Sequence, residues 1–136
     1  MEKTALVKVA KIVGTWIPAI LLMLVFIPQG LAKFSDTSGW TAAFRQWGYP
    51  DWFRMLIGAL ELSAALLLFL GRTAAFGAII IIVVMLGAWA THLILEGGRH
   101  MTSEVVPLVL ATIVLIVRRR QVTNAFARLR GVPVSS

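Results

Sequence analysis

A chain of 136 residues with 59% apolar and only 14% charged side chains lies outside the range of water-soluble domains, which average roughly 45–50% and about 25%. The lack of cysteine excludes disulfides, thiolate nucleophiles, thiolate metal sites and dithiol redox chemistry, so any redox role needs a bound cofactor. The formal charge of +7 does not point to nucleic acid, because the basic residues stand at the ends of apolar runs rather than interleaved with exposed aromatics.

A membrane-crossing helix needs about 20 mostly apolar residues. Four segments meet or approach this: 9–34, which carries Pro18 and Pro28; 52–70, interrupted by Glu61; 73–95, the cleanest; and 101–117, continuously apolar only after Glu104. Positive charge in short loops marks the cytoplasmic side. Lys3, Lys8, Lys11, Arg72, Arg118, Arg119, Arg120, Arg128 and Arg130 fall on one side of the four spans, and Lys33, Arg45, Arg54 and Arg99 on the other. Both termini are therefore expected inside, with loops 34–51 and 96–103 outside. A secretory-signal reading, with cleavage near Gly30-Leu31-Ala32, would leave three spans, but the apolar run is longer than a usual signal core.

In the outer loop, Trp40, Phe44 and Trp47 fall at i, i+4 and i+7, between the turn-like 35–39 and Gly48-Tyr49-Pro50, which predicts a short interfacial helix. In the tail, Val122, Phe126 and Leu129 share a face opposite Arg128 and Arg130, the pattern of a basic helix on anionic lipid. The expected architecture is an all-α membrane protein. It comprises a four-transmembrane-helix bundle over 1–117, with a short outer interfacial helix and a basic amphipathic C-terminal tail over 118–136. Gly58, Leu62 and Ala65 form a small-residue stripe expected to face a second one of Gly77, Ile81, Val84, Ala88 and Thr91.

Glu61 is the most informative residue, because an acidic group in mid-span costs at least roughly 2.5–3.5 kcal/mol and is tolerated only facing inward, neutral or paired. Lys33, His92 and Glu104 fall toward the same outer half, one from each remaining helix. The layer suggests a polar pocket opening outward, with Lys33 pairing with Glu61 or Glu104 and His92 suited to exchanging protons with a carboxylate. Taken singly, each has a structural reading: Glu61 as an interhelical register bond, Lys33 as an anchor, His92 as an interfacial histidine, Glu104 at a helix N-terminus. Asp51 is expected to cap the second span, and Arg45 and Arg54 to sit at headgroup phosphates. No phosphate loop, serine nucleophile motif, haem attachment sequence or metal-ligand pair is present in the sequence.

Five motifs in order resemble those of the DoxX and DoxX-like family of small bacterial membrane proteins, over roughly residues 20–115. They are Gly30-Leu31-Ala32-Lys33, Gly48-Tyr49-Pro50, Gly58-Ala59-Leu60-Glu61, Gly71-Arg72-Thr73-Ala74-Ala75, and Ala88 through His92. The Arg-rich tail ending Gly131-Val132-Pro133 departs from the Gly-rich segment of many members and favours the DoxX-like branch. The resemblance implies a multi-pass protein of the bacterial inner membrane, linked in the family to respiratory or oxidative-stress oxidoreductases, including a thiosulfate:quinone oxidoreductase subunit. The expected role is an accessory or quinone-associated subunit. In it Glu61 and His92 are the candidate catalytic groups, Lys33, Glu61, His92 and Glu104 the candidate ligand contacts, and a quinone the candidate cofactor. Expected partners are anionic lipids at the cytoplasmic face, a membrane or redox protein and a second copy of the chain, with no nucleic acid and no metal. A non-catalytic scaffold and a lipid-ligand isomerase are the alternatives, and whether the protein is an enzyme stays open.

Overall fold

The computed structural model describes residues 2–99, 101–131 and 133; Met1, His100, Val132 and 134–136 lie outside the described residues. Among these the chain is helical with no strand. Helix α1 runs over Glu2–Ala32, α2 over Gly39–Trp47, α3 over Asp51–Leu70 and α4 over Ala74–Leu95. A single 3-10 turn over Met101–Glu104 leads into α5, Val105–Val117, and α6 follows over Arg119–Leu129.

Helix α1 extends to Glu2, well before its apolar run, because residues 2–11 are mostly Ala, Leu, Lys and Glu, good helix formers with no turn residue. Its end tightens into 3-10 geometry, with the amides of Phe34 and Ser35 bonded to the carbonyls of Leu31 and Ala32. Helix α2 stops at Gly48, whose left-handed φ of 86° lets its own amide and that of Tyr49 reach back to the carbonyls of Arg45 and Phe44. Pro50, not Asp51, occupies the cap position of α3, since its fixed φ suits a helix start. Asp51 is the first helical residue and pairs with Arg45 at 3.2 Å on the surface, rather than capping.

Helix α1 packs on α3 and α5, and α4 packs on the same two, which closes a ring of four. The interior is built from small and aliphatic residues: Ala19, Leu22, Phe26, Ala64, Leu68, Ala78, Ile81, Ala111 and Val114. The outward faces are also apolar. Leu24, Val83, Ile94 and Val106 are each more than 60% exposed, an arrangement that lipid can cover and water would penalise. Three helices, α1, α3 and α4, are long and apolar enough to cross a membrane. Helix α5, at 13 residues, reaches only about 20 Å; with the preceding turn and α6 it passes the same test, but the pair is bent by 56° at Arg118.

The α3 small-residue stripe does not simply face that of α4, because in a ring each helix has two neighbours. Gly58 meets α1: a Cβ there would lie 2.9 Å from the carbonyl oxygen of Gly30 and 2.9 Å from the Cβ of Lys33. Gly77 of α4 instead approaches Ala64, Leu67 and Leu68 of α3, on a different side of that helix.

Candidate functional site

The Gly30–Gly58 crossing decides what meets at the charged end of the ring. With no side chains between them the backbones of α1 and α3 come close enough for Lys33, one turn past Gly30, to reach Glu61, one turn past Gly58. Lys33 Nζ donates to both carboxylate oxygens of Glu61, at 3.0 and 2.9 Å, and the side chains are 3% and 2% exposed. Two opposite charges so placed are neutral as a pair, which is how an apolar bundle accommodates them. The face of Trp40, from α2, covers the ammonium at 3.9 Å from ring centroid to Nζ.

Arg54 lies above this pair on the same face of α3, in the series 54, 58, 61, and is fully buried. Its Nη1 donates to the carbonyl oxygen of Lys33 at 2.6 Å and to that of Ser35 at 3.2 Å, so the guanidinium closes the C-terminal end of α1, where helix carbonyls lack internal partners. Its Nη2 stands 3.5 Å from Asp36 and 3.8 Å from Asp51, whose carboxylates balance the charge. The guanidinium is therefore engaged within the protein, rather than open to headgroup phosphates as expected. Thr41 of α2 donates to the same Ser35 carbonyl, at 2.7 Å, and ties α2 to this corner.

His92 and Glu104 form a second buried pair, with Nδ1 of the imidazole 3.3 Å from Oε1 of Glu104. The imidazole Nε2 lies 3.9 Å from Oε2 of Glu96, one helical turn on, and Glu96 Oε1 accepts a 2.9 Å bond from the indole N–H of Trp47. The Trp47 ring stands edge-on to the imidazole at 5.6 Å. Tyr49 and Thr91 share a 2.8 Å hydroxyl bond, and Phe44, Trp47, Tyr49 and Phe53 pack as one aromatic group between the ends of α2, α3 and α4. Lys33, Glu61, His92 and Glu104 thus all lie buried at the α2 end, in two pairs: one between α1 and α3, the other between α4 and the turn before α5.

The sequence matches the family model of the DoxX-like family over residues 17–117. The chain belongs to the DoxX-like family. No curated protein and no solved structure matches it. The matched stretch of this DoxX-like protein runs from the first turns of the apolar part of α1 to the end of α5 and includes all of the α2 end, while α6 lies beyond it. Reasoning from the sequence alone missed Arg54, the position of Trp40 over Lys33, and Glu96. The signal for Arg54 was present, since 54, 58 and 61 stand at i, i+4 and i+7 and must share a helix face. His92 and Glu96 also stand at i and i+4, whereas the contacts of Trp40 with Lys33 and of Trp47 with Glu96 are made between elements.

Proposed function

We propose that this DoxX-like protein is a four-span protein of the bacterial inner membrane, with both termini inside, that acts as an accessory or quinone-associated subunit of a membrane oxidoreductase system. The observation that carries the reading is the Lys33–Glu61 ion pair, buried in an apolar bundle with the ring of Trp40 over the ammonium. Ionisable groups inside a membrane bundle most often mark a ligand or proton site. The positive residues at the opposite end support the inside placement of the termini.

The donor set fits a ring carbonyl ligand. An ammonium has three hydrogens; Glu61 accepts two of those on Lys33 and Trp40 faces the Nζ, so a carbonyl oxygen could take the place of the indole face at a cost of about 0.5–2 kcal/mol. Trp40, Phe44 and Phe53 supply flat apolar surface at the same end. A quinone bound there would supply reversible two-electron, two-proton chemistry. Lys33 would donate to the carbonyl and Glu61 would hold the ammonium in place and accept or return a proton. His92 and Glu104 would hold a further exchangeable proton at the same end of the ring.

The test is titration of the purified protein with a quinone, wild type beside Glu61→Gln. Saturable binding that weakens by about tenfold in the variant supports the reading, the loss of one charge-assisted hydrogen-bond network being worth roughly 1.4 kcal/mol or more. Unchanged binding removes Glu61 from the role, and a wild type that binds no quinone refutes the quinone. A tail reporter accessible from outside the cell would refute the topology.

One observation favours a second reading, a non-catalytic scaffold for a partner. Lys33 and Glu61 satisfy each other through both carboxylate oxygens, as a pair that only fixes helix register would. In that case Glu61→Gln alters stability or partner capture and leaves no ligand affinity to change.

A further inference from the structure

The opposite end of the ring carries a separate feature. Among the six acidic residues only Glu2 stands there, against nine lysines and arginines: Lys3, Lys8, Lys11, Arg72, Arg118, Arg119, Arg120, Arg128 and Arg130. Two of these arginines converge on a cavity of about 570 Å³ between the α3–α4 turn and α6. Arg72 enters from the turn and Arg128 from α6. Thr73, Gln121 and Asn124 add polar groups, and Phe76 and Ala125 form its apolar wall. Neither arginine has an acidic partner among the described residues.

The cavity is built rather than accidental. Gln121 accepts from the amide of Ala75 at 2.9 Å and donates to the carbonyl of Gly71 at 2.8 Å, so one side chain clamps α6 against the turn and fixes the two arginines on the same opening. Gly71 itself holds a left-handed φ of 71°, which reverses the chain and presents that carbonyl. Arg118 meanwhile donates to Thr15 of α1, which anchors the bend from which α6 departs.

We infer that this cavity is a binding site for the phosphodiester headgroup of an anionic phospholipid, with Arg72 and Arg128 as its phosphate contacts. Arginine suits this role because its fork of N–H groups matches phosphate oxygens. The lipid, rather than a soluble phosphate, is indicated by what surrounds the cavity. Helix α6 buries no residue, and Phe126 and Leu129, 57% and 83% exposed, give the same helix an apolar face that acyl chains would cover. The site goes beyond a general attraction of the basic tail for a charged surface, since it assigns selectivity to two of nine cations.

Native mass spectrometry of the full chain in nonionic detergent, titrated with phosphatidylglycerol, tests the assignment. Wild type should bind one phosphatidylglycerol in preference to phosphatidylcholine. Arg72→Gln with Arg128→Gln should weaken it by about 30-fold, near fivefold per arginine. Arg119→Gln with Arg130→Gln makes the same change of charge away from the cavity, and should cost less than about threefold. Ala125→Trp fills the cavity with no change of charge and should weaken binding by at least about tenfold. Equal losses in the two double variants would overturn the site in favour of diffuse attraction, as would undiminished binding by Ala125→Trp. Phosphatidylcholine binding as tightly as phosphatidylglycerol would overturn the headgroup selection, and glycerol 3-phosphate binding as tightly as the diacyl lipid would overturn the lipid. Circular dichroism melting of each variant confirms that a folded chain was measured.

Discussion

Replacing Lys33 by Met removes the ammonium and keeps the stem that packs against Gly58, so the variant isolates the charge. Glu61 is then left 2% exposed, with its two hydrogen bonds gone and no other cation in ion-pair distance of its carboxylate among the described residues. Breaking a buried pair by removing one partner costs about 3–5 kcal/mol, and the same range applies to Glu61→Leu, which strands the ammonium under Trp40. The double variant has no charge to bury. Apolar replacements of similar volume are often neutral or stabilising by about 1–4 kcal/mol, so K33M/E61L should unfold at or above the wild-type midpoint. The cycle therefore gives a coupling on the order of 5 kcal/mol or more, of a sign that no pair of independent sites produces. Unfolding by sodium dodecyl sulfate in mixed micelles, followed by tryptophan fluorescence and far-UV circular dichroism, measures it. Single variants that lose less than about 1 kcal/mol, or a double variant that loses the sum of the two, would refute a desolvated pair at this position.

Four further outcomes are expected. Gly58→Ala forces α1 and α3 apart, because its Cβ would meet the backbone oxygen of Gly30, and should destabilise by about 1–3 kcal/mol in the same assay. Gly87→Ala, which meets nothing within 4 Å, should be neutral or stabilising by up to about 1 kcal/mol. Arg54→Lys should not rescue the loss of about 2–5 kcal/mol expected for Arg54→Ala, since an ammonium lacks the fork that sets one nitrogen on the carbonyls of Lys33 and Ser35 and the other toward Asp36 and Asp51; thermal melting in detergent compares them. Gln121→Ala removes two hydrogen bonds worth about 0.5–1.5 kcal/mol each, and should raise hydrogen exchange at the Ala75 amide while leaving that of α3 unchanged.

The helices could be read from hydropathy because lipid demands uninterrupted apolar runs, and Glu61 stood out for the same reason. The membership in the family was equally open to view, since its motifs mark turns and helix ends that a short loop cannot hide. What could not be read was partnership. Lys33 had two candidate acids, and the choice of Glu61 depends on a crossing set by Gly30 and Gly58 on helices 28 positions apart. The inward partners of Arg54 were not legible because it stands four residues into its helix, where a long side chain can as well reach a headgroup as turn inward. The stripe on α3 was misassigned because a one-dimensional pattern gives a face but not the number of neighbours. The bend at Arg118 likewise follows from three consecutive arginines ending an apolar run, whereas its anchorage on Thr15 lies 103 residues away in sequence.

Arg54 and Glu61 stand two turns apart on α3, yet both hold Lys33, just past the end of α1, one by its carbonyl and the other by its ammonium. Sliding α1 along α3 by one turn, about 5.4 Å, would break both bonds together and undo the close approach of Gly30 and Gly58. The two helices are thereby pinned in translation at this end. Movement at this end is left to two other degrees of freedom. One is swinging of α2 and its Trp40 about the loop 33–38, and the other is flexing of α1 at Pro28, which supplies no amide to the carbonyl of Leu24.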